Sequence, residues 1–442
     1  MFSFLHRNNF QINFLSGLIA FLPLSFILGN TFININIILF LVTSIIFFGG
    51  NIFKIKYNLL DKLVFSFFIL IIFTGIYNDI YFIVNDLYPA GYNTILKSFF
   101  FLRYFLIYLF IRYLVERNLI NFKYFFISCG IFSTFVCFDI FYQAIYGKDI
   151  FGYLPPEELR KLSGPFGDEY IAGGYIQRFS LFTFFILPIF YKDKFKKISF
   201  LLIPLFAVIF LLGILFSGNR MPFLLFLMTG ILIIFFHKSA RKYLIHLAII
   251  LPIIFFITYH FNEKIRDNYE SFYERIINIS LVIKSGDYKN PAFDSPAYDY
   301  LREFSTFYDT WLMNKYIGGG IKNFRYYCHV RPNLDKKAKF KCNMHPHNYY
   351  LEILTETGIV GFFIISSIFL FILYISIIKK YFLNFSNRDN HLMVPFMFLF
   401  FTEVFPIKTS GSFFTTGNAV YFFLIMAITA SLAIKYNLNE KN

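Results

Sequence analysis

Charge is scarce in this sequence. Asp, Glu, Lys and Arg make up 15% of its 442 residues, whereas a soluble domain carries about a quarter. Alanine is sparse as well, set against a surplus of Phe, Ile, Asn and Lys that reads as coding bias rather than function. Internal repeats and low-complexity tails are missing. The first apolar run has no small-residue cleavage site and is followed at once by another, so no cleavable leader is expected. Metal-ligand spacing is lacking too: His345 and His347 flank Pro346 with no third ligand in register, so no metal and no cofactor are expected. Together these gaps exclude an ordinary soluble domain.

What is abundant is apolar surface. Hydrophobic residues account for 57% and aromatic ones for 23%, with a mean hydropathy of +0.59. Apolar runs of about 20 residues recur, each long enough to cross ~30 Å of hydrocarbon. The expected fold is all-α, a polytopic membrane protein with about twelve transmembrane helices and one large outer loop. The spans fall at roughly 11–29, 32–50, 60–77, 95–114, 122–143, 172–191, 198–216, 221–237, 244–259, 351–378, 392–407 and 417–434. This divides the chain into helices one to nine (1–259), a large outer loop (260–350) and helices ten to twelve (351–442).

The net charge of +15 is distributed by topology. Arg7, Lys54, Lys56, Lys62, Arg112, Arg117, Lys123, the Lys192–Lys197 group, Lys238, Arg241, Lys242, Lys379, Lys380 and Arg388 all fall on alternate connections. By the positive-inside rule that side is cytoplasmic and holds both termini. The opposite, periplasmic side of a bacterial inner membrane receives the acidic loop Asp79–Asp86 and the segment 260–350. Because the basic residues occupy short loops, the charge fits a bilayer partner and not nucleic acid.

In the outer loop, Ile265, Tyr269, Phe272, Ile276 and Ile279 have helical spacing, and Pro296 opens a second helix through about Asn314. Its apolar face is expected to hold Leu301, Phe304, Tyr308, Trp311 and Leu312, leaving Arg302, Ser305, Thr306 and Asp309 on the polar face. Cys328 and Cys342 would form a disulfide in an oxidising compartment. Cys129 and Cys137 lie within a span, where thiols are ordinary filler.

Candidate chemistry gathers on the outer side. Asn348 is a favoured N-cap, so a helix is expected to begin just after His347 and to favour its neutral imidazole through the helix dipole. Arg220, in the short turn Ser217-Gly218-Asn219-Arg220, and Arg302 have the planar fork that grips phosphate. Arg178 follows Gln177 two turns into a span, where a charge is costly. Arg103 raises the same question, which a pairing with Asp139 or another buried group would answer. Glu403 and Lys408 flank the eleventh span and could pair or touch a headgroup.

These residues carry a family resemblance. His347-Asn348, nine residues, and then Gly358-x-x-Gly361 resembles the signature of the O-antigen ligase and O-antigen polymerase superfamily. The likeness extends to Ser217–Arg220 with Leu224, to an Arg302-bearing helix followed by Gly318–Gly320 and Phe324, and to the Leu162–Gly174 loop. Asn219 and Met221 depart from the neighbours often seen around that Arg. The resemblance implies a metal-independent, inverting glycosyltransferase that draws a glycan from an undecaprenyl-pyrophosphate carrier. His347 would take the acceptor's hydroxyl proton, and Arg220 and Arg302 would hold the pyrophosphate. Arg178, Asn348, Arg325, Lys322 and Lys408 are further candidates for substrate contact. The acceptor would be lipid A-core in a ligase, the favoured reading, or a second carrier-linked glycan in a polymerase. Twelve spans also suit a transporter or flippase, but no two-fold repeat supports that.

Overall fold

The computed structural model describes residues 2–85, 93–155, 161–191, 196–236, 241, 247–285, 299–330, 342, 345–382, 392–409 and 411–439. Among these, the regular structure is helical, with no strand. The helices are α1 Phe2–Leu28, α2 Asn30–Phe48, α3 Leu59–Val84, α4 Thr94–Glu116, α5 Phe122–Tyr146, α6 Ala172–Phe179, α7 Leu181–Ile186, α8 Lys196–Phe216 and α9 Arg220–Phe236. They continue with α10 Leu247–Phe261, α11 Glu263–Ser285, α12 Asp299–Met313, α13 Phe324–Tyr327, α14 Tyr349–Leu373, α15 Met393–Glu403 and α16 Thr416–Asn439.

Nine helical stretches among the described residues are long and apolar enough to cross a bilayer. Three of the twelve expected spans appear instead as shorter apolar helices, Arg220–Phe236, Ile250–Phe261 and Met393–Glu403. The third is cut short because the chain turns at Val404, where Glu403 and Lys408 enter a polar cluster instead of continuing an apolar run.

Without a hydrophobic drive between helices in lipid, close packing has to hold the bundle. α16 is its enclosed centre, packed against α4 and α15, and α14 lies against α3. Phe68, Phe101, Phe413, Phe414, Phe422 and Phe423 form a ring cluster there, with Tyr104 stacked on Phe423 at 5.8 Å. A second ring cluster joins Phe125, Phe126, Phe182 and Phe396 across α5, α7 and α15. Cys129 and Cys137 are buried free thiols, as expected of filler.

One end of the bundle is closed by ions. Arg112 bonds Asp61, whose carboxylate also completes a capping box with Asn58 at the start of α3, and Glu116 at 2.5 Å. The other end carries the candidate site, framed by α11, α12 and the turn 314–323. α11 packs inward through Tyr269, which meets Phe223 and Phe255.

α12 presents a different face from the expected one. Thr306 is buried beside Glu303, Phe307 and Thr310, while Tyr308 and Leu312 are exposed. The packing partner explains the rotation. Thr355 of α14 donates to the Phe307 carbonyl, Phe307 stacks on Phe324 at 3.4 Å, and the Cys328–Cys342 disulfide lies beside them.

Candidate functional site

The site is built on the start of α14. Asn348 is extended, and its side-chain carbonyl accepts from the Tyr350 and Leu351 N–H groups at 3.0 and 3.1 Å, which fixes the first turn. Its amide donates to the Pro406 carbonyl at 2.9 Å, tying α14 to the loop before α16. His347 precedes it at φ 52°, a left-handed backbone that costs a non-glycine residue about 1–2 kcal/mol. Such strain collects at functional positions. The His345 ring lies 4.4 Å away, edge to face.

Burial, and then the nearby Lys161 ammonium, lower the His347 pKa below its ordinary 6.5. Both act in the direction expected of the helix dipole, toward a neutral imidazole. His345 is pulled down to about 4 by burial and by His347.

Ten residues on, α14 breaks at Gly358 (φ 66°, ψ −174°). The break frees two carbonyls and two N–H groups, and the turn after α12 takes all four. Gly319 and Gly320 donate to the Thr355 and Glu356 carbonyls at 3.0 and 2.9 Å. Ile359 and Val360 donate to Lys315 and Tyr316 at 2.8 and 3.2 Å. A Cβ at Gly358 would overlap the Tyr316 carbonyl, and one at Gly318 would overlap the Glu356–Gly358 backbone. The Gly318–Gly320 and Gly358 glycines of the sequence signature thus form one clasp. Thr74 and Asn78 of α3 hold it from outside through the Ile317 and Gly318 carbonyls.

Arg220 opens α9 and reaches α11, with Nε on Asn268 at 2.7 Å and an Nη on Ser271 at 2.6 Å. Asn219, the unusual neighbour, bonds the Gly173 N–H and Tyr170 carbonyl, pinning the loop that carries Lys161. Arg302 stands on α12, which is packed on α14.

Arg178, Asn348 and Lys408 are brought together in one network beside His347. Glu403 Oε1 accepts from Arg178 at 2.8 Å, Lys408 at 2.6 Å and the Tyr349 hydroxyl at 2.6 Å. Glu403 and Lys408 therefore pair, as one of the two sequence readings had it. Burial pulls the Lys408 ammonium down to about 8, although Glu403 opposes it.

Lys322 and Arg325 belong elsewhere, with the clasp and α4. Lys322 has φ 55°, which turns its N–H onto Glu356 at 2.7 Å, while Lys97 donates to its carbonyl at 3.2 Å. Arg325 lies over Tyr326 at 5.6 Å. Arg103 does not pair with Asp139: it bonds the Tyr104 hydroxyl at 2.8 Å, and Asp139 accepts from the Ile150 N–H. The other loop cations, Arg331, Lys336, Lys337, Lys339 and Lys341, lie outside the described residues.

Sequence reasoning passed over Tyr349, Glu352 and Glu356. Both glutamates had a signal: two carboxylates at i and i+4 in an apolar helix mark function or pairing by default. Glu352 is held by the Ser412 hydroxyl at 2.5 Å and the Phe413 N–H at 2.6 Å, and Glu356 by Lys322 and Asn323.

No curated protein matches the chain in a sequence search. The model of the O-antigen ligase family matches residues 205–366, a stretch that contains Arg220, Arg302, the clasp and His347. Over that stretch the chain is similar to the O-antigen ligase family.

Proposed function

We propose that this protein is an inverting, metal-independent glycosyltransferase of ligase type, moving a glycan from undecaprenyl pyrophosphate to a sugar hydroxyl of lipid A-core. The observation that carries the reading is His347. It is a half-buried imidazole kept neutral at physiological pH, strained into a left-handed backbone and fixed by a capped helix. A neutral imidazole accepts a proton, as the activation of a hydroxyl requires.

In the proposed step the acceptor hydroxyl gives its proton to His347 while its oxygen bonds the anomeric carbon. The bond from that carbon to the diphosphate oxygen breaks on the opposite face, its electron pair leaving with the diphosphate. This displacement inverts the centre. Arg220 and Arg302 bind the diphosphate and offset its growing charge, the kind of stabilisation that contributes most in such transfers. The leaving group is already a stable anion, so no general acid is called for. Asn348, with Arg178 and Lys408 on Glu403, holds the start of α14 in place. The alternation of basic loops supports an inner-membrane location, cytoplasmic termini and a site facing the periplasm.

One observation favours a second reading, a polymerase joining carrier-linked repeat units. Lys97, Arg103 and Lys322 form a cationic group apart from Arg220, and it would suit the phosphate of a second carrier.

The test uses the full-length protein in nanodiscs with an undecaprenyl-pyrophosphate glycan and lipid A-core. Transfer is expected with neither nucleotide nor ion gradient, and EDTA should not change it. His347→Ala should lower the rate by about 10²–10⁴-fold with normal insertion. Near-wild-type transfer by that variant removes His347 as the base, and strong EDTA inhibition removes metal independence. A lipopolysaccharide gel of a deletion strain separates the two acceptors. Loss of all chains from the core marks a ligase, and core bearing a single repeat unit marks a polymerase.

A further inference from the structure

Among the described residues, Lys97, Arg103 and Lys322 are cations without a carboxylate contact. Lys322 lies within electrostatic reach of Arg103, Lys97, Glu356 and Glu352. Both of those carboxylates are already occupied. Glu356 accepts the Lys322 and Asn323 N–H groups at 2.7 and 3.2 Å, and Glu352 accepts the Ser412 hydroxyl and the Phe413 N–H. Among the described residues Lys97 reaches the Lys322 carbonyl and the Tyr326 ring, 5.0 Å from its centroid. Arg103 has one Nη on the Tyr104 hydroxyl and its guanidinium over that ring, while its Nε is buried with no hydrogen-bond partner among the described residues. The Lys322 ammonium has no hydrogen-bond or ion-pair partner among the described residues.

Arg103 lies nine residues into α4, ~14 Å from its start at 1.5 Å per residue. A charge at that depth is costly and is normally paired. Lys322 is further held in a backbone conformation that a lysine does not favour. Burial, strain and missing partners coincide on one group.

We infer that Lys97, Arg103 and Lys322 form a second anion subsite, separate from Arg220, that binds a phosphate-type group on a membrane-anchored substrate. Arg103 Nε and the Lys322 ammonium supply the donors. Lys97 adds charge and holds the turn that carries Lys322. The Glu352–Glu356 pair stands behind this turn and keeps the cations oriented without neutralising them by contact. That the bound group belongs to the acceptor rests on the transfer reaction proposed above; that an anion binds here does not.

The test titrates phosphate against the full-length protein in nanodiscs and follows the unfolding midpoint. One arm uses inorganic phosphate over neutral phosphatidylcholine, and the other uses discs doped with phosphatidic acid. Wild type should show a saturable rise in midpoint, because a ligand that binds only the folded state stabilises it. The rise should persist in Arg220→Gln, so a failure of the transfer mechanism would not remove it. Arg103→Gln and Lys322→Gln should each weaken it at least tenfold. Without phosphate, Lys322→Gln should unfold no lower than wild type, since an empty cationic site is a cost; a purely structural Lys322 would give a lower midpoint. A response confined to phosphatidic acid assigns a lipid-borne group, and one confined to inorganic phosphate a group in solution. No response in either arm, or one indifferent to Arg103 and Lys322, overturns the subsite. In a transfer assay the same two variants should raise the acceptor KM at least tenfold and leave the donor KM unchanged.

Discussion

Arg112 and Arg103 sit on the same helix, nine residues apart, and meet their surroundings in opposite ways. Arg112 is fully buried and served on every side. Nε and an Nη bond Glu116 at 3.1 and 2.5 Å, the other Nη bonds Asp61, and the Tyr108 hydroxyl accepts at 3.4 Å. Arg103 has a phenol, a ring face and a buried Nε that finds no acceptor among the described residues. Between them stands the Glu403 group, where among the described residues Oε1 takes three donors and the buried Oε2 takes none. A closed network holds helices together. An open one spends stability, and proteins spend it where something else binds.

The largest effect should come from breaking the closed network. Arg112→Ala leaves Asp61 buried without its main partner, and removing one member of a buried pair costs about 3–5 kcal/mol. A fall in unfolding midpoint and in folded yield in nanodiscs would show it. Arg103→Gln, on the same helix, should cost far less. Equal losses at both positions would mean that Arg103 is as structural as Arg112.

Next comes converting the half-closed network into an open one. Glu403→Gln removes the carboxylate shared by Arg178 and Lys408. Leaving buried donors poorly satisfied costs about 1–3 kcal/mol. Lys408 should then lose its proton more readily than at about 8, because Glu403 is what holds it up against burial. The unfolding midpoint of the variant relative to wild type, followed across pH 6 to 9, reads both.

The same contrast explains what could be read from the sequence. The positions of the helices, the Asn348 cap and the Cys328–Cys342 bond follow from local patterns, since apolar length, capping chemistry and thiol compartment act over short distances. The Gly318–Gly320 and Gly358 pattern was visible but its purpose was not, because a clasp between residues forty apart has no local signature. The face of α12 was misread for a related reason. Periodicity marks Tyr308 and Leu312 as apolar, yet the partner helix selected Thr306 and Phe307. For Arg103 the sequence offered Asp139 or another buried group as a partner, since sequence shows which residues are charged and not which are left open.

A smaller effect is expected from the neutral side of the site. Burial and His347 take the His345 pKa from 6.5 to about 4, so the unfolded chain binds more protons than the folded one between those values. Stability from this residue is therefore present above pH 6.5 and lost as pH falls toward 4. The midpoint of wild type should drop over that window, and His345→Phe should flatten the slope. An unchanged slope would place the acid sensitivity elsewhere.

The smallest effect tests whether the cations around His347 act at a distance. Burial is the main reason that His347 stays neutral, and Lys161 is the second. Lys161 is exposed, so its field is screened over a Debye length of ~8 Å at physiological salt. Lys161→Gln should therefore move the acid limb of kcat/KM upward toward 6.5 while leaving the maximum rate almost unchanged. High salt should produce the same movement in wild type and almost none in the variant. If Lys161 instead touches substrate, the variant would lose rate at every pH and the limb would stay where it is. The two outcomes differ in shape and not only in size, so a pH profile at two ionic strengths separates a tuning cation from a binding one.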